Sequence, residues 1–297
     1  MRRVCAVVVT FHPDALALSN LEALRLQVDN VVVVDNGSDE LLDLRQTAET
    51  LGLTLIEHGE NLGIATALNS GVRRAQQLGA EFVLLFDQDS CVAEGMVGTL
   101  VTAFEASAWG ERLGILVPRY VDRRFRSEIL QKRAASGLAA AMTSGSLLRT
   151  ETFTRHGYFV DELFIDAVDY EYSLRLRRAG LVIDQCDAAE LLHSPGEPRR
   201  VMLFGRRLFQ CANYSPLRHY YQQRNKIWVA KRYGLAFPGF VAKLFFYSTK
   251  DFFKILAGET DKLRKCRFFL RGVWDGLRGR MGRLDAPRST RPGPPAE

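Results

Sequence analysis

Cysteine is scarce and unpatterned in this chain. Its five cysteines, Cys5, Cys91, Cys186, Cys211 and Cys266, are scattered, odd in number and free of any Cys-x-x-Cys spacing. That distribution speaks for reduced thiols in a cytosolic protein and against a structural zinc site. No Gly-x-Gly-x-x-Gly follows the first strand-like run and no P-loop occurs, which argues against dinucleotide oxidoreductases and P-loop kinases. No stretch of the aromatic C-terminal part reaches the ~18 consecutive apolar residues that a membrane-spanning helix needs. The N-terminal Met1-Arg2-Arg3 and the apolar run behind it imitate a signal peptide. The run breaks at His12-Pro13-Asp14 and lacks a small-residue cleavage pattern, so it reads as a first strand. What remains is ordinary globular material: 297 residues, 47% hydrophobic and 25% charged, enough for one large domain and an appendage.

Charge divides the chain. The net +6 conceals 18 Lys+Arg against 28 Asp+Glu in residues 1–198, and 20 against 4 in residues 199–283. An acidic domain followed by a basic, aromatic-rich segment points to an anionic partner surface, either membrane headgroups or nucleic acid.

Residues 4–11 (VCAVVVTF), 30–34 and 82–86 are apolar runs without alternation, the pattern of strands buried on both faces. Helical patterns at 15–27, 41–51 and 61–79 separate them, so the elements alternate as in a parallel α/β sheet. The strand ends then bring Thr10-Phe11, Asp35-Asn36 and Asp87-Asp89 to one rim, where open α/β sheets bind ligands. Asp87 and Asp89, at i and i+2 on an extended segment, point to one side and suit Mg²⁺ or Mn²⁺ carrying a diphosphate. Asp35 is placed to accept from a pyrimidine N–H and Asp87 to reach a sugar hydroxyl. The composition of Asp35-Asn36-Gly37-Ser38 is equally that of a plain turn. Asn61 could cap a helix, and Gly63 would permit close approach of a ligand.

A second chemical centre is FIDAVDYEYSLRLRRAG, residues 164–180. Val168, Tyr172, Leu176 and Ala179 form one apolar helical face, with Gly180 as the stop. Asp166 and Asp169 lie near the helix start, where the dipole and free N–H groups favour carboxylates for structural reasons alone. Further on, Arg218, Tyr221 and Arg224 at i, i+3 and i+6 are candidates for phosphate oxygens, or else an exposed basic face. Residues 235–274 alternate Phe-rich patches with Lys and Arg, fitting interfacial helices on an anionic leaflet or helices packed on the first domain.

The ordered series VVVTFHPD, VVVVDNGS and NLGIATALNSGVRRAQQLGAEFVLLFDQDS resembles family 2 glycosyltransferases of the GT-A fold, most of all their bacterial rhamnosyltransferase branch, over residues 4–225. The resemblance implies a GT-A (Rossmann-like) domain at 1–205; the composition beyond it reads as a helical basic and aromatic region at 206–281 and, where Pro, Gly and Arg dominate, a disordered tail at 282–297. The resemblance also implies an inverting, metal-dependent transfer of L-rhamnose from dTDP-L-rhamnose to a glycan or lipid-linked glycan acceptor, as in polysaccharide biosynthesis. The enzyme would act on the inner face of the plasma membrane, alone or as a homo-oligomer, and without nucleic acid.

By the same resemblance Asp169 is the catalytic base, with Asp166 as its rival because Val168 stands where the family carries an acid. Gly145 and Ser146 would lie beneath the donor sugar, and His193 would complete the metal site. Three alternatives stand beside this reading. One is another nucleotide-sugar donor. Another is a haloacid-dehalogenase-like phosphatase, whose Asp-x-Asp sits on the first strand rather than the fourth. The third is a non-catalytic glycan binder.

Overall fold

A computed structural model describes residues 3–122, 127, 133–193, 199–203, 206–211 and 213–284; of residues 133, 193, 199–203 and 206–211 it describes the backbone alone. The chain opens with β1 (Val4–Thr10), α1 (Ala15–Arg25), β2 (Asn30–Asp35), α2 (Leu42–Leu51), β3 (Thr54–Glu57), α3 (Ile64–Gln77) and β4 (Phe82–Asp87). It continues through β5 (Ser90–Val92), α4 (Met96–Glu105), β6 (Leu113–Asp122), the β7–β8 hairpin (Arg133–Ala134 and Gly137–Leu138), β9 (Leu147–Arg149), α5 (Thr150–His156), α6 (Val168–Arg178) and β10 (Val182–His193). A second hairpin, β11 (Arg199–Leu203) with β12 (Arg206–Cys211), precedes α7 (Pro216–Tyr233), α8 (Pro238–Gly258) and α9 (Lys262–Leu277).

Eight strands form one sheet in the order β3-β2-β1-β4-β9-β6-β10-β5. The first four are parallel, as the unalternated apolar runs require, because every residue of β1 is buried and β4 is buried up to Asp87. β9 is antiparallel to both its neighbours, and β5 runs antiparallel against β10. The short strands β5 and β9 carry too few residues for a periodic signal. β9 pairs with residues 82–84 of β4, so the segment leading into it runs past the β4 tip, and β5 sets Ser90 against the end of β10.

The boundary expected at 205/206 falls inside the β11–β12 hairpin, and the first C-terminal helix starts at Pro216, capped by Ser215, whose Oγ accepts from the Arg218 N–H at 3.2 Å. α9 lies along α7 at close range, because Gly272 and Gly276 present no side chain to the Tyr220 and Arg224 carbonyls. A buried polar group joins the three helices: Glu259 accepts from His219 Nε2 (3.2 Å) and Lys265 Nζ (2.8 Å), and Lys265 also reaches Asn213 Oδ1 (2.7 Å). Part of the expected tail is docked as well. Gly282 donates to the Glu162 carbonyl at 2.9 Å and Arg283 pairs with Glu60 at 2.9 Å; residues 285–297 lie outside the described part.

Candidate active site

The parallel register sets Thr10 beside Asp35 and Val9 beside Asp87, so β2, β1 and β4 end together. Asp35 is completely buried. Its carboxylate accepts from Thr10 Oγ1 (3.2 Å), the Gly37 N–H (3.0 Å), the Ser38 N–H (2.8 Å) and Ser38 Oγ (2.5 Å). Four donors fill the acceptor capacity of two oxygens, so Asp35 and the buried Thr10 organise the loop after β2 from beneath. Asn36 latches that loop to the next: its Oδ1 accepts from the Leu62 N–H at 3.0 Å and its Nδ2 donates to Asn61 Oδ1 at 3.1 Å.

Two expectations change at this point. Asn61 is not the cap of α3; Gly63 holds that position, and Asn61 builds the turn before it by accepting from the Gly63 N–H at 3.0 Å. Nor does Gly63 make room for a ligand. At φ +88° it makes room for Phe164, which a Cβ would meet at 2.6 Å.

Phe11 stands half-exposed at the rim, and its backbone is held by Gln88. The Phe11 N–H donates to Gln88 Oε1 at 2.7 Å, and Gln88 Nε2 returns to the Phe11 carbonyl at 3.2 Å. Sequence reasoning passed over Gln88; its place between two acids at a strand tip is the available signal.

Asp87 is partly buried at the tip of β4 and Asp89 is exposed just beyond it. Burial first, then the charges of Asp89 and Asp169, push the Asp87 carboxyl up to about 7, while Arg218 draws it down. The 143–149 segment supports this tip. The Asp87 N–H donates to Ser144 Oγ at 3.2 Å, and Ser144 Oγ donates to Ser90 Oγ at 2.8 Å. Gly145, at φ +81°, packs against Pro118 and Leu191, and Ser146 is buried and donates to the Met142 carbonyl at 2.6 Å. Ser144 is thus the residue of this segment that meets the acidic tip, while Gly145 and Ser146, expected beneath the donor sugar, pack behind it.

Across the cleft, Asp169 sits in the first turn of α6 and accepts from the Tyr170 N–H at 2.8 Å. Burial pushes its carboxyl up to about 6; the Tyr170 N–H opposes the rise and the charge of Asp166 adds to it. Asp166 is the acid paired with a cation: Arg218 Nε lies 3.3 Å from its Oδ2 and Nη2 lies 3.4 Å from its Oδ1. Glu171 faces the other way, buried against Arg175 and accepting from Tyr233 Oη at 2.7 Å.

Of the three α7 residues expected at phosphate, only Arg218 reaches the acids. Arg224 is fully buried, donating to the Glu162 (2.9 Å), Leu163 (3.0 Å) and Gly282 carbonyls, and Tyr221 is buried, stacked on Phe164 with centroids 4.9 Å apart. The reason is helical rotation: at ~100° per residue, position i+6 lies about 120° away from i. The His193 side chain lies outside the described part. The backbone register places residue 193 opposite Ser90, the neighbour of Asp89.

A divalent cation fits this tip. Among the described residues no three metal-ligating side chains converge. Mg²⁺ and Mn²⁺, however, are commonly held by one or two carboxylates, with phosphate oxygens and water completing the shell. Asp87 and Asp89 supply two hard oxygen donors, and the charges of Asp89 and Asp169, which add to burial in pushing the Asp87 carboxyl up, are ones that a cation would offset.

Comparison with known proteins agrees with this geometry. The chain is 28% identical to the dTDP-rhamnosyl transferase RfbF of Shigella flexneri across 94% of its own length and 97% of that protein. It is also 28% identical to the galactofuranosyltransferase GlfT1 of Mycolicibacterium smegmatis, across 78% and 84% of the two chains. Among solved structures it superposes on S. aureus TarS 1-349 in complex with UDP-GlcNAc with a TM-score of 0.62 at 15% identity, covering 93% and 81%. It superposes on GalNAc-T7 with UDP, GalNAc and Mn²⁺ with a TM-score of 0.58 at 13% identity, covering 94% and 56%. Residues 5–153, half of the chain, match the family described as Glycosyl transferase family 2. With the GT-A-like mixed sheet and its acidic β4 tip, that match makes the chain a glycosyltransferase of family 2.

Proposed function

We propose that this enzyme transfers L-rhamnose from dTDP-L-rhamnose, with inversion, to a hydroxyl of a cell-envelope glycan or lipid-linked glycan. The observation that carries the reading is the approach of Asp169, at the start of α6, to Asp87, at the tip of β4, close enough for the charge of Asp169 to add to the upward push on Asp87. Asp87 and Asp89 would hold Mg²⁺ or Mn²⁺, whose charge, when bound, offsets that of the departing diphosphate. Arg218, paired with Asp166 through Nε and Nη2 and stacked on Tyr214, would turn its remaining N–H donors to a phosphate oxygen. Phe11 offers an exposed ring to the nucleobase, on a backbone that the Gln88 side chain holds at both its N–H and its carbonyl.

Asp169 takes the proton from the acceptor hydroxyl. That oxygen bonds to the anomeric carbon as the bond to the diphosphate breaks, and the nucleoside diphosphate leaves with the electron pair. A single displacement inverts the centre, so a β-linked donor gives an α-rhamnoside. The RfbF likeness over nearly the whole of both chains supports dTDP-L-rhamnose; the GlfT1 likeness favours a galactofuranose donor as second reading. Nucleotide release from dTDP-L-rhamnose and from UDP-galactofuranose in the presence of Mn²⁺ separates them. Faster dTDP release supports the proposal and faster UDP release the alternative.

The same reading places the enzyme at an anionic membrane surface. On α8, Ala242, Phe246, Thr249, Phe253 and Leu256 recur at helical spacing on one exposed face, beside the exposed Lys243 and Lys250. On α9, Leu263, Leu270, Trp274 and Leu277 do the same beside Arg264, Arg267, Arg271 and Arg278. Among the described residues no helix is long and apolar enough to cross a membrane. Apolar stripes bordered by cations suit helices lying in the headgroup layer.

A further inference from the structure

We infer that Arg224 and Asn225 are positioning residues: a buried clamp on α7 that holds the strained segment presenting Asp166 and Asp169. The inference rests on the reading of Asp169 as proton acceptor. The segment itself is unusual. Phe164 has φ 65° and ψ −66°, and the Ile165 N–H donates to the Leu163 carbonyl at 2.7 Å, which is a γ-turn of the rare, strained hand. Asp166 follows at φ 64° and Ala167 at φ 61°. Three of four consecutive residues, none of them glycine, thus occupy the left-handed half of conformational space. Such residues persist only where their surroundings over-determine them.

The surroundings here come from two sides. From α3, the Ile64 N–H donates to the Phe164 carbonyl at 2.7 Å, across the gap that Gly63 leaves open. From α7, the Asn225 side-chain amide donates to three carbonyls of this segment: that of Leu163 at 2.9 Å, that of Ile165 at 2.7 Å and that of Asp166 at 2.8 Å. Arg224 Nη2 adds bonds to the Glu162 and Leu163 carbonyls, and Arg224 Nε donates to Asn225 Oδ1 at 2.9 Å, which fixes the orientation of the amide. Both side chains are completely buried.

A carboxamide is the side chain that suits this place, since it offers two N–H groups inward and one acceptor back to the arginine. A buried arginine with its charge spread over carbonyls and the faces of Tyr220 and Tyr221 serves as the backing. Neither residue points at the cleft. Their effect on the reaction passes through the α6 start, where Asp169 stands two residues beyond Ala167. The catalytic sheet domain therefore does not build its own active site: the first C-terminal helix completes it.

The test combines kinetics, nucleotide affinity and backbone exchange on the full chain with the variants Asn225→Ala and Arg224→Lys. The clamp predicts that kcat falls by about 100-fold in Asn225→Ala, the scale expected when a catalytic group is misplaced by about an ångström. Affinity for dTDP with Mn²⁺ stays within about twofold, because Asp87 and Asp89 lie on the sheet. Amide exchange in the 161–170 segment accelerates at least tenfold while β1 and β4 are unchanged. Arg224→Lys, which keeps the charge and loses the fork, should show the same pattern more weakly.

Adding Ala167→Gly to Asn225→Ala should recover part of kcat, because glycine accepts the left-handed angle without cost; a residue that merely stabilises the fold would give no such recovery. The inference is overturned if Asn225→Ala keeps kcat within threefold, if nucleotide affinity falls in step with kcat in both variants, or if 161–170 exchange is unchanged. Should Asn225→Ala not fold, the same three readouts on Arg224→Lys decide. Should the native enzyme turn over no sugar nucleotide, the reaction reading fails, and unchanged exchange in 161–170 still separately sinks the clamp.

Discussion

The acids of this site are tuned by where their backbones place them. Asp169 is lifted to about 6 chiefly by burial, and a proton acceptor must be ionised, so kcat should fall as pH drops through about 6. Asp166 adds to that lift, so Asp166→Asn should move the acid limb to lower pH; a limb that stays put or rises would contradict the assignment. The same shift bears on stability. A carboxyl raised from 3.8 to about 6 on folding binds its proton more tightly in the folded state. Its contribution to stability is therefore present below the unfolded value and is lost as pH rises through the folded one. At pH 7.5, Asp169→Asn should consequently stabilise the protein by about 1–3 kcal/mol, seen as a raised urea midpoint. Asp87, lifted to about 7, implies that cation uptake displaces a proton. Apparent Mn²⁺ affinity for the dTDP-bound enzyme should rise between pH 6 and 8, and calorimetry in buffers of different ionisation enthalpy reports the released proton.

At the scale of elements, the junction between α3 and the Phe164 turn is the most exacting contact. Gly63→Ala forces a Cβ to within 2.6 Å of Phe164 at φ +88°, so it should cost about 2–4 kcal/mol by chemical denaturation. A cost below about 1 kcal/mol would show that this junction is soft.

The long elements were legible in the sequence: β1, β2 and β4 announced themselves as unbroken apolar runs, and α6 by its Val168-Tyr172-Leu176 face with Gly180 as its stop. The short ones were not, because β5 and β9 hold three residues each and owe their existence to neighbours far along the chain. Partners distant in sequence were hidden for the same reason. Nothing near Gly63 names Phe164, and nothing near Arg224 tells that its guanidinium serves carbonyls about sixty positions away rather than a phosphate. The acids at the strand tip and helix start could be read, since strand ends and helix starts fix where side chains emerge; the shell that supports them could not.

For the molecule as a whole, the charge division now has a shape. The acidic sheet domain carries the cleft, and the +16 segment behind it, with 20 Lys+Arg against 4 Asp+Glu in residues 199–283, holds the helices whose apolar stripes lie on α8 and α9. Phe246→Glu with Phe253→Glu should weaken sedimentation with phosphatidylglycerol vesicles at least tenfold while leaving transfer to a soluble acceptor analogue intact. Unchanged sedimentation would remove α8 from the membrane face. Because α7 both clamps the Asp166–Asp169 segment and packs on α8 and α9, binding surface and chemistry share one structural layer. The account turns on Asp169 as the group that removes the acceptor proton, and single-turnover transfer by Asp169→Asn, measured beside its affinity for dTDP with Mn²⁺, probes that most directly. Transfer reduced at least a thousandfold with affinity within twofold is the predicted result; transfer at more than a tenth of the native rate would contradict it.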